Sequence, residues 1–218
     1  MVLWGISGAY MVLFKLPFIH GNHLVHATSS PLPANTDWLN FHVVTQRYPR
    51  ATEITLSTLW LDGAYQPVYQ VVRRGQRQLL HGESLAPLEL DAAAIRAIAR
   101  QTYALGDAPI IDVALLTENA PSEISRKLLP VWHVQFDDSG ATSLYFSAAS
   151  GELVSKRHTY WRGFDIMWML HIMDYDTRSD IETWWLQAFI IGNLAFWITG
   201  VLLVVVTIFR RQAVRRPS

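Results

Sequence analysis

The sequence predicts an α+β region of two helix-plus-meander units held between two membrane-spanning helices. Three observations predict it. Residues 186–209 form an uncharged apolar run of about membrane length, and residues 1–19 form a second apolar run. Between them lie two stretches that each read as a helix followed by β-rich runs.

Composition narrows the chemistry. The 218 residues carry 18 basic and 18 acidic side chains, so the balance gives no electrostatic case for nucleic acid. Cysteine is absent, which removes disulfides, thiolate zinc sites, thiol nucleophiles and iron–sulfur ligation together. Histidine and the carboxylates are left as the candidate metal ligands.

Taken in order, residues 1–19 read as the first transmembrane helix. Lys15 is the one charge in MVLWGISGAYMVLFKLPFIHG, and the run is a little short for a full span at about 1.5 Å per residue. A cleaved signal is disfavoured, because there is no basic leader and Ser7-Gly8-Ala9 stands too early for a cleavage site. The expectation is a helix that starts partway through, its upstream half missing.

The first α+β unit is expected over residues 20–90. A helix-compatible piece at 37–48 (DWLNFHVVTQRY) leads to β-rich runs at 53–61, 66–73 and 76–81, broken at Tyr48-Pro49, Asp62-Gly63 and Arg74-Gly75. The second unit is expected over 91–158. Asp91 caps a helix in which Ala94, Ile95, Ile98 and Thr102 recur at helical spacing, while Arg96 and Arg100 fall on the opposite, wet face with Tyr103 beside them. Runs at 110–116, 131–137 and 143–147 follow, with a fourth at 152–157. Each half needs the other, or a membrane surface, to cover its sheet.

Residues 159–180 read as an interfacial amphipathic helix and turn. Trp161, Phe164, Trp168, His171 and Tyr175 are spaced 3, 4, 3 and 4, which makes one stripe on a helix, although Leu170 and Met173 fall opposite. Residues 184–209 form the second span, entered through Trp184 and Trp185 and left through the basic tail RRQAVRRPS at 210–218. The positive-inside rule then puts the C-terminus in the cytoplasm and residues of about 20–183 outside it.

Several of these runs resemble PepSY proteins. LPVWHVQFDDSGATSLYFSAASGELVSKR (129–157) is similar to the C-terminal half of a PepSY domain, with an aromatic strand, a hairpin and a small-residue turn. WGISGAYMVLF and HGNHLV resemble the first helix, and its exit, of PepSY-associated membrane proteins. WRGFDIMWMLH with the later ITGVLLVV resembles their last helix. The resemblance spans most of the chain and rests on the order of loose motifs. This chain has two expected spans where other versions have four. The resemblance implies a bacterial inner-membrane protein with both termini in the cytoplasm and a periplasmic, non-catalytic module that binds or regulates a partner, as an accessory membrane subunit in contact with lipid and another membrane or periplasmic protein. It also implies an alternative, a haem b electron-transfer component similar to iron–siderophore reductases.

Candidate site residues follow from both readings. The last span has no histidine, so a bis-histidine haem would pair His171 with His20 or His23. His20, His23 and His26 stand at three-residue spacing and could share a metal on a helix, but Pro17 and the Gly21-Asn22 turn oppose a helix there. No nucleophile elbow, phosphate loop or HExxH occurs, and Asp137-Asp138 before Gly140 reads as hairpin chemistry. Asn193 is the strongly polar side chain of the last span. Together with Gly192, Thr199 and Gly200 it offers a helix-packing face, either to Gly5, Ser7 and Gly8 of the first helix or to another subunit. Residues 76–81 would suit a partner segment added as a strand.

Overall fold

A computed structural model describes residues 2–26, 39–176 and 180–214, with side chains described through Arg210. The chain forms two compact units. One is the α+β unit Phe14–Gly163, and the other joins the segment ending at Leu13 with the segment beginning at Phe164.

In the α+β unit, β1 (Glu53–Leu61), β2 (Ala64–Arg73) and β3 (Gln76–His81) form an antiparallel sheet in chain order. Its hairpins are set by two-residue turns: Asp62 and Gly63 have φ of 50° and 82°, and Arg74 and Gly75 have 53° and 77°. Two successive positive φ values give the tight turn whose twist matches the strands, which is why glycine stands second in each. Pairing resumes at once across Leu61↔Ala64, so β2 begins two residues before the sequence break suggested.

The second sheet runs β4 (Ile110–Leu116), β5 (Val131–Phe136), β6 (Ser143–Ser147) and β7 (Leu153–Arg157), again antiparallel in chain order. The fourth strand expected from sequence is present. Asp138 builds the β5–β6 turn: its carboxylate accepts from Thr142 N at 2.8 Å, Thr142 Oγ1 at 2.6 Å and Tyr103 OH at 2.7 Å.

Both sheets share one helix, numbered α4 below. Asp91 caps Ala92–Thr102 by accepting from Ala94 N at 2.8 Å, and the helix buries Ile95, Ile98 and Ala99. These meet Leu59, Leu61, Val68 and Leu79 of the first sheet and Val134, Phe136, Leu144 and Phe146 of the second in one continuous core. Each meander thus covers its apolar face with the other's help. Arg96 and Arg100 are exposed as expected, and their guanidinium groups donate to the carbonyls of Ile110 and Ala108.

Tyr103 departs from the expectation. It is buried, stacked on Phe136 with centroids 4.1 Å apart. The helix ends at Thr102 and Tyr103 is extended, with ψ of 131°, so helical spacing no longer places its side chain.

The short helices before α4 also differ from the sequence reading. Residues 1–19 are not one helix: α1 (Val2–Leu13) stops before Lys15, and α2 (Leu16–Ile19) starts with Pro17 in its first turn. With 12 residues α1 rises about 18 Å, short of the roughly 30 Å of a bilayer core. The piece read at 37–48 is α3 (Phe41–Arg47), capped by the Asn40 side chain accepting from His42 N; residues 37 and 38 lie outside the described ones. Val44 of α3 packs on the back of the first sheet against Tyr69, Val71, Leu80 and Leu85.

In the helical unit, α6 (Trp184–Val214) contains one stretch, Trp184–Arg210, long and apolar enough to cross a membrane. The helix before it, α5 (Thr159–Ile172), begins in the α+β unit and ends in the helical one. It closes at Met173, whose φ of 56° is left-handed, and the buried Asp174 accepts from the backbone N–H of Asp176 and Asp180. Tyr175 therefore falls beyond the helix and off the expected stripe.

Candidate functional site

His171 is held within the helical unit. Its ring stacks on Trp4, with centroids 4.6 Å apart and planes within 9°. Nδ1 is 3.1 Å from Ser7 Oγ, and the His171 carbonyl accepts from Trp4 Nε1 at 3.0 Å. A Cβ added at Gly8 would stand 3.2 Å from His171 Cε1, so the small residue there lets α1 close on the imidazole.

The ring is wedged between Trp4 and the Gly8 backbone, and His171 is the one histidine of its unit, whereas bis-histidine ligation needs two imidazoles aimed into one cavity.

Of the proposed partners of His171, His23 is engaged in the α+β unit. The His23 ring stacks on Phe18 at 4.6 Å and meets His158 edge-on at 5.3 Å. His158 is 1% exposed, with Nε2 at 3.2 Å from the Phe18 carbonyl and 3.1 Å from that of Ile19. Two carbonyl acceptors require the proton on Nε2, and burial pushes its pKa below the usual histidine value. Burial, and then the neighbouring His158, lower that of His23.

His20, His23 and His26 do not gather around a point. Gly21 is left-handed, residues Asn22–Leu24 form a single 3-10 turn, and Val25 is extended and bridged to Tyr103. His26 N donates to the Thr102 carbonyl. Among the described residues no three histidine or carboxylate side chains could hold a metal ion.

Of the helix-packing residues of α6, Gly192, Thr199 and Gly200 are exposed and Asn193 is half-buried. Asn193 Nδ2 donates to its own helix at Phe189 O, and Thr199 Oγ1 does the same at Ala195 O. No atom stands within 4 Å of a Cβ added at Gly192 or Gly200. Gly192 and Gly200 therefore do not pack on the small face of α1, where Ser7 and Gly8 receive His171.

Two features were invisible in the sequence. The first is a polar clamp on the back of the second sheet. Arg162 Nε donates to Glu123 Oε2 at 2.7 Å, Tyr145 OH donates to Glu123 Oε1 at 2.6 Å, and Arg157 Nε donates to the Glu123 carbonyl. Arg162 also reaches Ser143 Oγ and the Ala141 carbonyl. Burial opposes the charge on Glu123, yet the hydrogen bonds from Arg162 and Tyr145 prevail and hold its carboxyl below the ordinary range. Tyr145 is pushed up by burial and by Glu123. With these groups engaged by one another, the clamp fastens loop, sheet and α5.

The second is a cleft of about 780 Å³ whose walls include β1 at Thr58–Trp60 and β7 from Leu153 to Arg157. Ile98, Gln101 and Thr102 of α4 also line it, as do His20 and His26. β1 and β7 are each the end strand of a sheet. Near Gly151 the sheets approach: an added Cβ there would be 2.8 Å from Leu90 Cδ1 and 3.1 Å from Leu59 Cδ1. Ser155 Oγ, on β7, is buried and has no hydrogen-bond partner among the described residues.

The strand edge expected at 76–81 is partly occupied by the chain itself. His81 N donates to Ala86 O, Leu88 N donates to Leu79 O, and Leu80 bridges Pro87, because the chain folds back after Glu83 with Leu85 at positive φ. No protein family, curated protein or solved structure matches this chain.

Proposed function

We propose that the chain is a membrane-anchored PepSY-type module that binds or regulates a partner protein outside the cytoplasm, as an accessory subunit of the bacterial inner membrane. The observation that carries the reading is the contrast between an α+β unit with a filled shared core and a long helix bearing unpacked small residues. Gly192 and Gly200 meet open space, and Ile191, Phe196, Trp197 and Leu203 are more than half exposed. An apolar helix of this length suits lipid, and small residues on it suit close approach of another helix. Arg210 and Arg211, followed by Arg215 and Arg216 in the sequence, support a cytoplasmic C-terminus and an external α+β unit.

Photo-crosslinking in intact membranes tests the reading. A photoreactive residue at Gly192, Thr199 or Gly200 is expected to trap one protein at adducts that are absent when it stands at Leu203. Absence of position-specific adducts, together with recovery of the chain alone in several mild detergents, would overturn it. Because cysteine is absent, single Ser84→Cys and Ser218→Cys variants report sidedness cleanly: Ser84→Cys should react with an impermeant maleimide from outside, and Ser218→Cys only after lysis.

A further inference from the structure

We propose that the cleft between β1 and β7 receives an extended, acidic segment of a partner protein as an added strand. The inference rests on the partner-binding reading above and deepens it by naming the receiving site and the chemistry of what enters.

Two walls of the cleft are end strands, one from each sheet. An extended peptide is the occupant whose backbone can hydrogen-bond strands on either side, whereas a compact small molecule matches neither ladder. β7 has five residues, so the added ladder would be about five residues, or roughly 17 Å, long. The outer side of β3 is unsuited to the same role, since residues 86–88 already cover its second half.

Ser155 supplies an independent sign. Ser155 lines the cleft, the residue is 7% exposed, and no described group hydrogen-bonds to its buried hydroxyl. A buried hydroxyl left unmet costs stability, and a hydroxyl donor is met by a peptide carbonyl or a carboxylate.

Charge selects the acidic class. Lys156 and Arg157 line the cleft against one carboxylate, Glu152, which already accepts from Gln70 Nε2 at 2.9 Å and Ser150 Oγ at 3.3 Å. Cationic lining favours an acidic segment and disfavours a basic one.

The test uses the purified full chain in detergent and a fluorescein-labelled, end-blocked seven-residue peptide alternating valine with glutamate, read by anisotropy. Saturable binding is expected, weakened at least tenfold when alternate backbone amides are N-methylated and when lysine replaces glutamate. Ser155→Ala should raise the melting temperature, because the unmet hydroxyl is gone, while weakening the peptide about tenfold, equivalent to one lost hydrogen bond of about 1.4 kcal/mol. If Ser155→Ala fails to fold, Lys156→Gln serves, and should narrow the preference for glutamate over lysine peptides. Absence of saturable binding, or binding indifferent to N-methylation, overturns strand addition. Such a failure leaves the partner reading intact if the α6 adducts form, since those do not depend on the cleft.

Discussion

The two sheets share a helix but differ in how their outer faces are closed. Behind the first sheet, Val44 meets Tyr69, Val71 and Leu80 in an apolar layer. Behind the second, Tyr145 and Val131 pack with Ile124, but the neighbouring positions are Glu123, Arg162, Ser143 and Gln135, joined by hydrogen bonds. An apolar layer tolerates small shifts of its cover. The bidentate Arg162–Glu123 pair fixes one orientation, and it ties the sheet to the start of α5. The same contrast makes one face insensitive to acid and the other sensitive.

The largest effect should come where the sheets meet. Phe136→Ala is expected to cost about 3–5 kcal/mol in urea unfolding, because the ring is 1% exposed and stacks on Tyr103 within the core of both sheets. A loss under about 1 kcal/mol would mean that the sheets do not depend on one core.

Next come the two outer faces. Glu123→Ala should cost about 2–3 kcal/mol, below the figure for a fully buried pair because Arg162 is one-third exposed. Val44→Ala should cost about 2 kcal/mol. Only the first should depend on pH. The folded Glu123 carboxyl lies below its unfolded value of about 4.5, so its contribution is present above that value and is lost as pH falls through the lower, folded one. Equal pH profiles for the two variants would erase the distinction.

The smallest effect concerns His158. Its folded pKa is depressed, so the unfolded chain binds more protons below about pH 6.5, and stability falls as pH drops from there. His158→Gln keeps a donor for the Phe18 and Ile19 carbonyls but removes the titration. It is expected to flatten the stability profile between pH 7 and 5, and an unchanged slope would assign that slope to other groups.

Much of the fold was legible because it is encoded locally. Asp62-Gly63 and Arg74-Gly75 declare tight hairpins, Asp91 declares a cap, and Asp138 declares a turn, each through neighbours within a few residues. The site was less legible. The cleft arises from strands about ninety residues apart, and Ser155 in LVSKR has the look of any serine on a wet strand face. Glu123 lies alone in PSEISRK, and nothing near it announces Arg162. His171 was read from its helical stripe, but the α1 residues that engage it, Trp4 and Ser7, precede it by more than 160 positions.

Both sheets follow chain order, and that simple topology bears on how the molecule is made. Each strand pairs with its sequence neighbour, so most loops closed during folding are short and cost little entropy. The last strand ends at Arg157, well before Trp184. During synthesis every strand of the α+β unit therefore exists before the apolar helix does, and its hydrophobic faces can be buried against one another before the segment most prone to aggregate leaves the ribosome.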